Sequence, residues 1–112
     1  MSVNEKFIPI RKGLLEFLVL RVIAAGQVYA ADIIRQLEET EFATQEGTLY
    51  PLLSKMRREE LLTYTWKESD AGPPRKYYQL TDTGKSQLKA LNDYWDTINE
   101  TVRTIGKKAK ER

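Results

Sequence analysis

The sequence predicts a mainly α fold of the α+β class, with four helices and one β-hairpin set between the third and fourth. Three observations carry this. Apolar residues recur at helical spacing in four separate stretches. From Thr63 to Leu80 the period changes to two around a proline-rich turn. The last stretch keeps a strict alternation of three and four residues between apolar positions, narrower than a stripe facing a domain core. At 112 residues the chain is one domain, or one domain with an appended element. The natural division is a body over 1–80 and a final helix over 81–112.

The first helix is expected from Lys6 to Ala25. Between Leu14 and Ala25 only Glu16 and Arg21 are charged, so it carries two apolar faces and needs two partners. Gly26 is its stop. A second helix runs from about Ala30 to Glu39, with Ala30, Ile33, Ile34 and Leu37 on its buried face. After a loop over Thr40–Gln45, Leu49, Leu52, Leu53 and Met56 define the buried face of a third helix. Its other side carries Thr48, Tyr50, Pro51, Ser54, Lys55 and Arg58. Pro51 has no N–H to give, so it sits near the helix start or the helix loses one bond there.

Thr63 to Ser69 alternates as a strand, Asp70 to Pro74 is expected to form a long, proline-stiffened tip, and Arg75 to Leu80 returns. Tyr64, Trp66, Tyr77 and Tyr78 are expected to pack against a helix. Thr81 is a suitable N-cap for the last helix, with Asp82 in its first turn. That helix is expected to run toward the C-terminus. Leu88, Leu91, Trp95, Ile98, Val102 and Ile105 form the a/d seam of a coiled coil along it. Such a helix outruns so small a body and needs a second helix, most economically from another copy of the chain.

Composition narrows the functions. Hydrophobic residues at 41% and charged residues at 30% are ordinary for a globular protein. There is no Cys and no His, which removes thiolate chemistry, disulfides, imidazole or thiolate zinc sites and the commonest neutral-pH base. No paired carboxylates or nucleophile–base set stands at a motif spacing, so no enzyme and no cofactor are expected. Met1 to Gly13 does not read as a signal peptide, and no stretch reads as a membrane span. With the lack of Cys, this makes a cytoplasmic protein the expectation. Net charge is only +2, but the basic residues are placed: Gly47 to Arg58 holds Lys55, Arg57 and Arg58 and no acid. A second basic run, Lys107 to Arg112, is expected to be a solvated end.

Three helices followed by a hairpin is the element order of a winged helix-turn-helix. The third helix would offer small polar groups with Lys55 and Arg58 to a major groove. Lys67, Arg75 and Lys76 near the hairpin would reach adjacent phosphates. Each group also has a plainer reading, a solvated helix face for the first and solubilising edge lysines for the second. A winged-helix adaptor that binds protein rather than DNA is the alternative. An acidic third helix with a neutral wing would mark it, and the charges here run the other way.

The segments Glu46-Gly-Thr-Leu-Tyr-Pro-Leu-Leu-Ser-Lys-Met and Gly72-Pro-Pro-Arg-Lys-Tyr-Tyr-Gln-Leu-Thr-Asp-Thr-Gly84 closely resemble the PadR family of transcriptional regulators. Arg11-Lys-Gly-Leu-Leu-Glu-Phe-Leu-Val-Leu fits the family's first helix, so the resemblance spans nearly the whole chain. A single final helix looks like the short subfamily. Where many relatives read His-Gly-Tyr before the second helix, this chain has Val28-Tyr29-Ala30. The resemblance implies a homodimer in which the last helix packs on the partner's first helix and body. Leu14 and Leu18, with Leu88, Leu91, Trp95, Ile98, Val102 and Ile105, are then the dimer contacts. It also implies repression from a palindromic double-stranded DNA operator, relieved in some members by a small planar aromatic ligand. Trp95 matches the Trp that stacks on such ligands at the dimer centre, with Asp96 or Glu100 to balance a cation. Trp95 as simple dimer core is the other reading.

Overall fold

The computed structural model describes residues 5–107. The expectation of a solvated basic tail therefore lies, beyond Lys107, outside the described residues. A 3₁₀ turn at Glu5–Phe7 leads into α1 (Ile8–Ala24), followed by α2 (Ala30–Leu37), α3 (Glu46–Arg58), β1 (Leu62–Ser69), β2 (Gly72–Leu80) and α4 (Asp82–Thr104). Pro9 sits in the first turn of α1, where its missing N–H is no loss.

The core lies among the helices and the base of the hairpin. Val19, Leu20 and Ile23 of α1 meet Ile33 and Leu37 of α2, Leu49, Leu53 and Met56 of α3, and Leu62 and Tyr78 of the sheet. The helical spacing of these residues made that core legible. β1 and β2 pair antiparallel, with Tyr64 opposite Tyr78, Trp66 opposite Lys76 and Lys67 opposite Arg75. On its other edge β2 bonds the α1–α2 connection: Tyr78 N–H donates to the Val28 carbonyl at 2.7 Å, and Val28 N–H returns to Tyr78 at 3.3 Å. This rung fixes the wing to the helical body.

Several boundaries differ from the sequence reading. The hairpin tip is only Asp70 and Ala71, because Gly72, Pro73 and Pro74 already belong to β2. Prolines are tolerated there since this end of β2 has one edge in solvent. Pro51 stands inside α3, so the second of its two expected outcomes holds and one helical bond is forgone. α2 stops at Leu37, where the Thr40 hydroxyl donates to the Leu37 carbonyl at 2.7 Å and accepts the Phe42 N–H at 3.0 Å. α4 does not run on: Ile105 is extended and Gly106 takes φ 85°, a glycine stop that removes Ile105 from the helical seam.

The start of α4 is locked onto the body. Thr81 caps it by accepting the Gly84 N–H at 2.9 Å, and its hydroxyl donates to the Glu60 carbonyl at 2.6 Å. A Cβ on Gly84 would lie 2.1 Å from the Leu61 carbonyl oxygen, so glycine is what permits this approach. Farther along, Arg21 of α1 donates to Asn92 Oδ1 at 2.7 Å. Leu18, Leu88 and Leu91, expected at the dimer interface, pack against the chain's own core. Beyond Asn92 the helix projects. Val102 and Ile105 are 69% and 75% exposed. The radius of gyration is 17.1 Å, against about 13 Å for a compact chain of this length.

Candidate nucleic-acid interface

The helical repeat of about 100° per residue divides the surface of α3 into three strips. Pro51, Ser54 and Arg58 lie opposite the buried Leu49, Leu53 and Met56 and face outward. Thr48 and Lys55 lie on the flank toward α1, and Tyr50 and Arg57 on the flank toward the hairpin. Contacts agree with this division. Lys55 Nζ is 3.2 Å from Glu16 of α1 and 3.4 Å from Glu59. The hydrogen bond and charge of Glu16 raise the Lys55 pKa above its usual value. Arg57 instead lies 4.7 Å over the Tyr64 ring of β1.

The hairpin also has two faces. Toward α3 it presents Tyr64, Trp66, Lys76 and Tyr78. Lys76 Nζ stands 4.6 Å from the Tyr64 ring and 5.4 Å from the Trp66 ring. Tyr64 packs on Tyr78 with ring centres 5.9 Å apart. On the opposite face Lys67 donates to Gln27 Oε1 and lies 5.3 Å from the Tyr77 ring. Arg75 rests 4.6 Å over Tyr29, which itself stacks at 5.5 Å on Tyr77.

Two shallow grooves separate α3 from the hairpin. One, of about 340 Å³, lies toward the N-terminal end of α3 and is lined by Tyr29, Glu46, Tyr50, Trp66 and Lys76 among others. The second, of about 320 Å³, lies toward its C-terminal end, between Ser54, Arg57, Arg58, Tyr64 and Lys76. Tyr78 lines both, and its phenol is pushed above the usual value chiefly by burial, then by Tyr50 and Tyr64, against a lowering by Arg57.

The structure thus brings together Tyr50, Ser54, Arg58 and Lys76 along the cleft between α3 and the hairpin; Arg75 lies over Tyr29 on the other face and, of the two grooves, reaches only the one at the N-terminal end of α3. Thr48 is exposed on the far flank, Lys55 is drawn to α1, and Lys67 is tied behind the wing. Two residues went unrecognised from the sequence. Arg57 falls in a basic run that offers no way to tell its flank from that of Arg58. Trp66, expected to pack, is 61% exposed, its ring set edge-on to Tyr64 at the groove wall. Buried Tyr78 does pack as expected.

On α4, Trp95 is 38% exposed, Asp96 is exposed beside it, and Glu100 is ion-paired to Arg103 of its own helix. Ile98 is half-buried and Leu14 of α1 likewise. Among the described residues no cluster of three carboxylates suits a metal, and no helix is long and apolar enough to cross a membrane.

Residues 19–90 match the model of the transcriptional regulator PadR-like family. The chain is similar to a PadR-like transcription factor from Bacteroides fragilis of solved structure, at 44% identity and a TM-score of 0.79, over 92% of this chain and 100% of that one. A PadR-like transcriptional regulator from Bacillus cereus aligns at 37% identity and a TM-score of 0.78, covering 87% of this chain and 95% of its own. An uncharacterised protein of Lysinibacillus sphaericus is 27% identical over 94 residues, 81% of this chain and 86% of its own length.

Proposed function

The chain belongs to the PadR-like family of transcriptional regulators, and from that premise we propose that it is a repressor that binds a palindromic operator in double-stranded DNA as a homodimer. One observation carries the DNA reading. Arg58 on the outward strip of α3, Arg57 on its flank toward the hairpin, Lys76 on the wing face toward α3 and Arg75 on the wing's other face are none of them ion-paired among the described residues. Cations left without carboxylates in a concave surface suit a polyanion. The outward strip of α3 is slim, built from Pro51, Ser54 and Arg58 with Tyr50 at its edge, and a slim helix fits a major groove. In this reading α3 enters the groove by the edge that carries Ser54 and Arg58, and Arg75 and Lys76 are phosphate contacts of the wing. Lys55 and Lys67 join them only if their present ties are exchanged for DNA, and Thr48 only from the far flank of α3.

The dimer reading rests on apolar surface at two separated places. Phe7, Ile8 and Ile10 are exposed at the start of α1, and Trp95, Val102 and Ile105 at the far end of the chain. Each patch covers the other when α4 crosses to a partner's α1. An effector reading follows from Trp95, which would meet its symmetry mate near the two-fold axis. Asp96 is the carboxylate left there to balance a flat aromatic cation, since Glu100 is engaged by Arg103. Planar cationic dyes should quench tryptophan fluorescence in the wild type and much less in Trp95→Ala. Quenching that survives there but vanishes in Trp66→Phe would leave Trp95 as dimer core.

Fluorescence anisotropy on a labelled duplex, repeated across a salt series, tests the DNA reading. Affinity should fall steeply with salt, with a slope of about −0.9 per phosphate neutralised. Absence of binding even at low salt would sink it and favour a protein-binding adaptor.

A further inference from the structure

Resting on the DNA reading above, we infer that the groove at the C-terminal end of α3 is the seat of one particular backbone phosphate, held by Arg57, Arg58 and Lys76 around the Tyr64 ring. The groove of about 320 Å³ has three cationic side chains and no carboxylate in its lining. Arg57 and Lys76 both lie over one ring, at 4.7 and 4.6 Å from the Tyr64 centroid. A ring attracts a cation through its quadrupole but does not neutralise it. The two side chains are therefore positioned without a counter-charge. Neither they nor Arg58 makes a side-chain hydrogen bond or ion pair among the described residues. The contrast with Lys55 on the same helix is direct, since that ammonium has two carboxylates within 3.4 Å.

Three uncompensated cations around one groove repel each other until an anion enters. A phosphodiester suits the donor set: it has two non-bridging oxygens, which match a guanidinium fork, and Ser54 adds a hydroxyl at the groove wall. The location fits as well. With α3 in a major groove and the wing over the neighbouring minor groove, the strand between them passes through this cleft. Arg57 thereby acquires a role that its flanking place on α3 would otherwise deny it. The class of ligand is duplex DNA backbone, not a free anion or a base.

Methylphosphonate scanning tests this on a duplex that the wild type binds, neutralising one phosphate at a time. At one position in each half-site, neutralisation should weaken the wild type about tenfold, the effect of one charge-assisted hydrogen bond. The same duplex should cost Arg57→Gln and Lys76→Gln much less, while Arg57→Lys recovers part of the loss. The salt slope of Arg57→Gln should be shallower by about 0.9. If wild type and Arg57→Gln lose equally at every position, the phosphate seat is wrong although the DNA reading stands. If the wild type binds no duplex at all, both fall. Arg57 is exposed, so circular dichroism of Arg57→Gln should match the wild type, and a binding change then reports on the groove.

Discussion

Glu60 holds φ at 64° in the corner between α3 and β1, a conformation a side chain resists. Relief of that resistance, about 1–2 kcal/mol, exceeds the looser unfolded chain a glycine brings, about 0.5–1 kcal/mol. Glu60→Gly should therefore raise stability by roughly 0.5–1 kcal/mol in urea unfolding. Gly84 is the opposite case. Its neighbour is the rigid Leu61 carbonyl, so Gly84→Ala should cost about 3 kcal/mol or more and show as a lower urea midpoint. Tyr78 ties stability to pH. Its phenol is raised in the fold mainly by burial, so the unfolded chain ionises first. Stability should fall as pH rises past the ordinary tyrosine value of 10.0, and Tyr78→Phe should flatten that fall. None of these three was legible from the sequence. A positive φ, a carbonyl approach and a desolvated phenol each arise from tertiary contact, and Glu60 has the wrong chemistry for its backbone.

At the scale of elements, α1 holds α3 and the turn before it at two points. Arg11 donates to the carbonyls of Glu41 and Ala43 at 3.2 and 3.0 Å, pinning the α2–α3 turn, and lies 5.7 Å from the Phe42 ring. Glu16 holds Lys55 of α3. The pair is half-exposed, so its own contribution to stability is about 0.2–1 kcal/mol. Its effect on binding should be larger. Glu16→Gln combined with Glu59→Gln frees the Lys55 ammonium for DNA and should tighten binding and steepen the salt slope by up to about 0.9; an unchanged slope would show that Lys55 never reaches a phosphate. The elements themselves were largely legible. Ile33 and Leu37, or Leu49, Leu53 and Met56, declare their helices by spacing, and Thr81 declares its cap. The hairpin tip was misjudged because Pro73 and Pro74 look like turn residues, yet an edge tolerates them. Nor could alternation foresee that Trp66 stays exposed at the groove wall.

The whole molecule is elongated, 65 by 34 by 21 Å, because little among the described residues covers the outer half of α4. The a/d spacing raised the expectation that this helix reaches for a partner, but could not say where self-packing ends. Leu88 and Leu91 turn inward against the core, and Arg21 holds Asn92, so the exposed part begins near Trp95. Val102→Asp should therefore disrupt the dimer with little change in the body. A buried, unpaired carboxylate costs about 3 kcal/mol or more, enough to give a monomer in sedimentation at micromolar concentration. A monomer brings one α3 and one wing to DNA where a dimer brings two related by a two-fold axis. Hydroxyl-radical footprinting on a duplex selected by the wild type reads that difference directly. The account predicts two protected patches on an inverted repeat, with centres about one helical turn, ~34 Å, apart. A single patch without symmetry, or no protection, would contradict it.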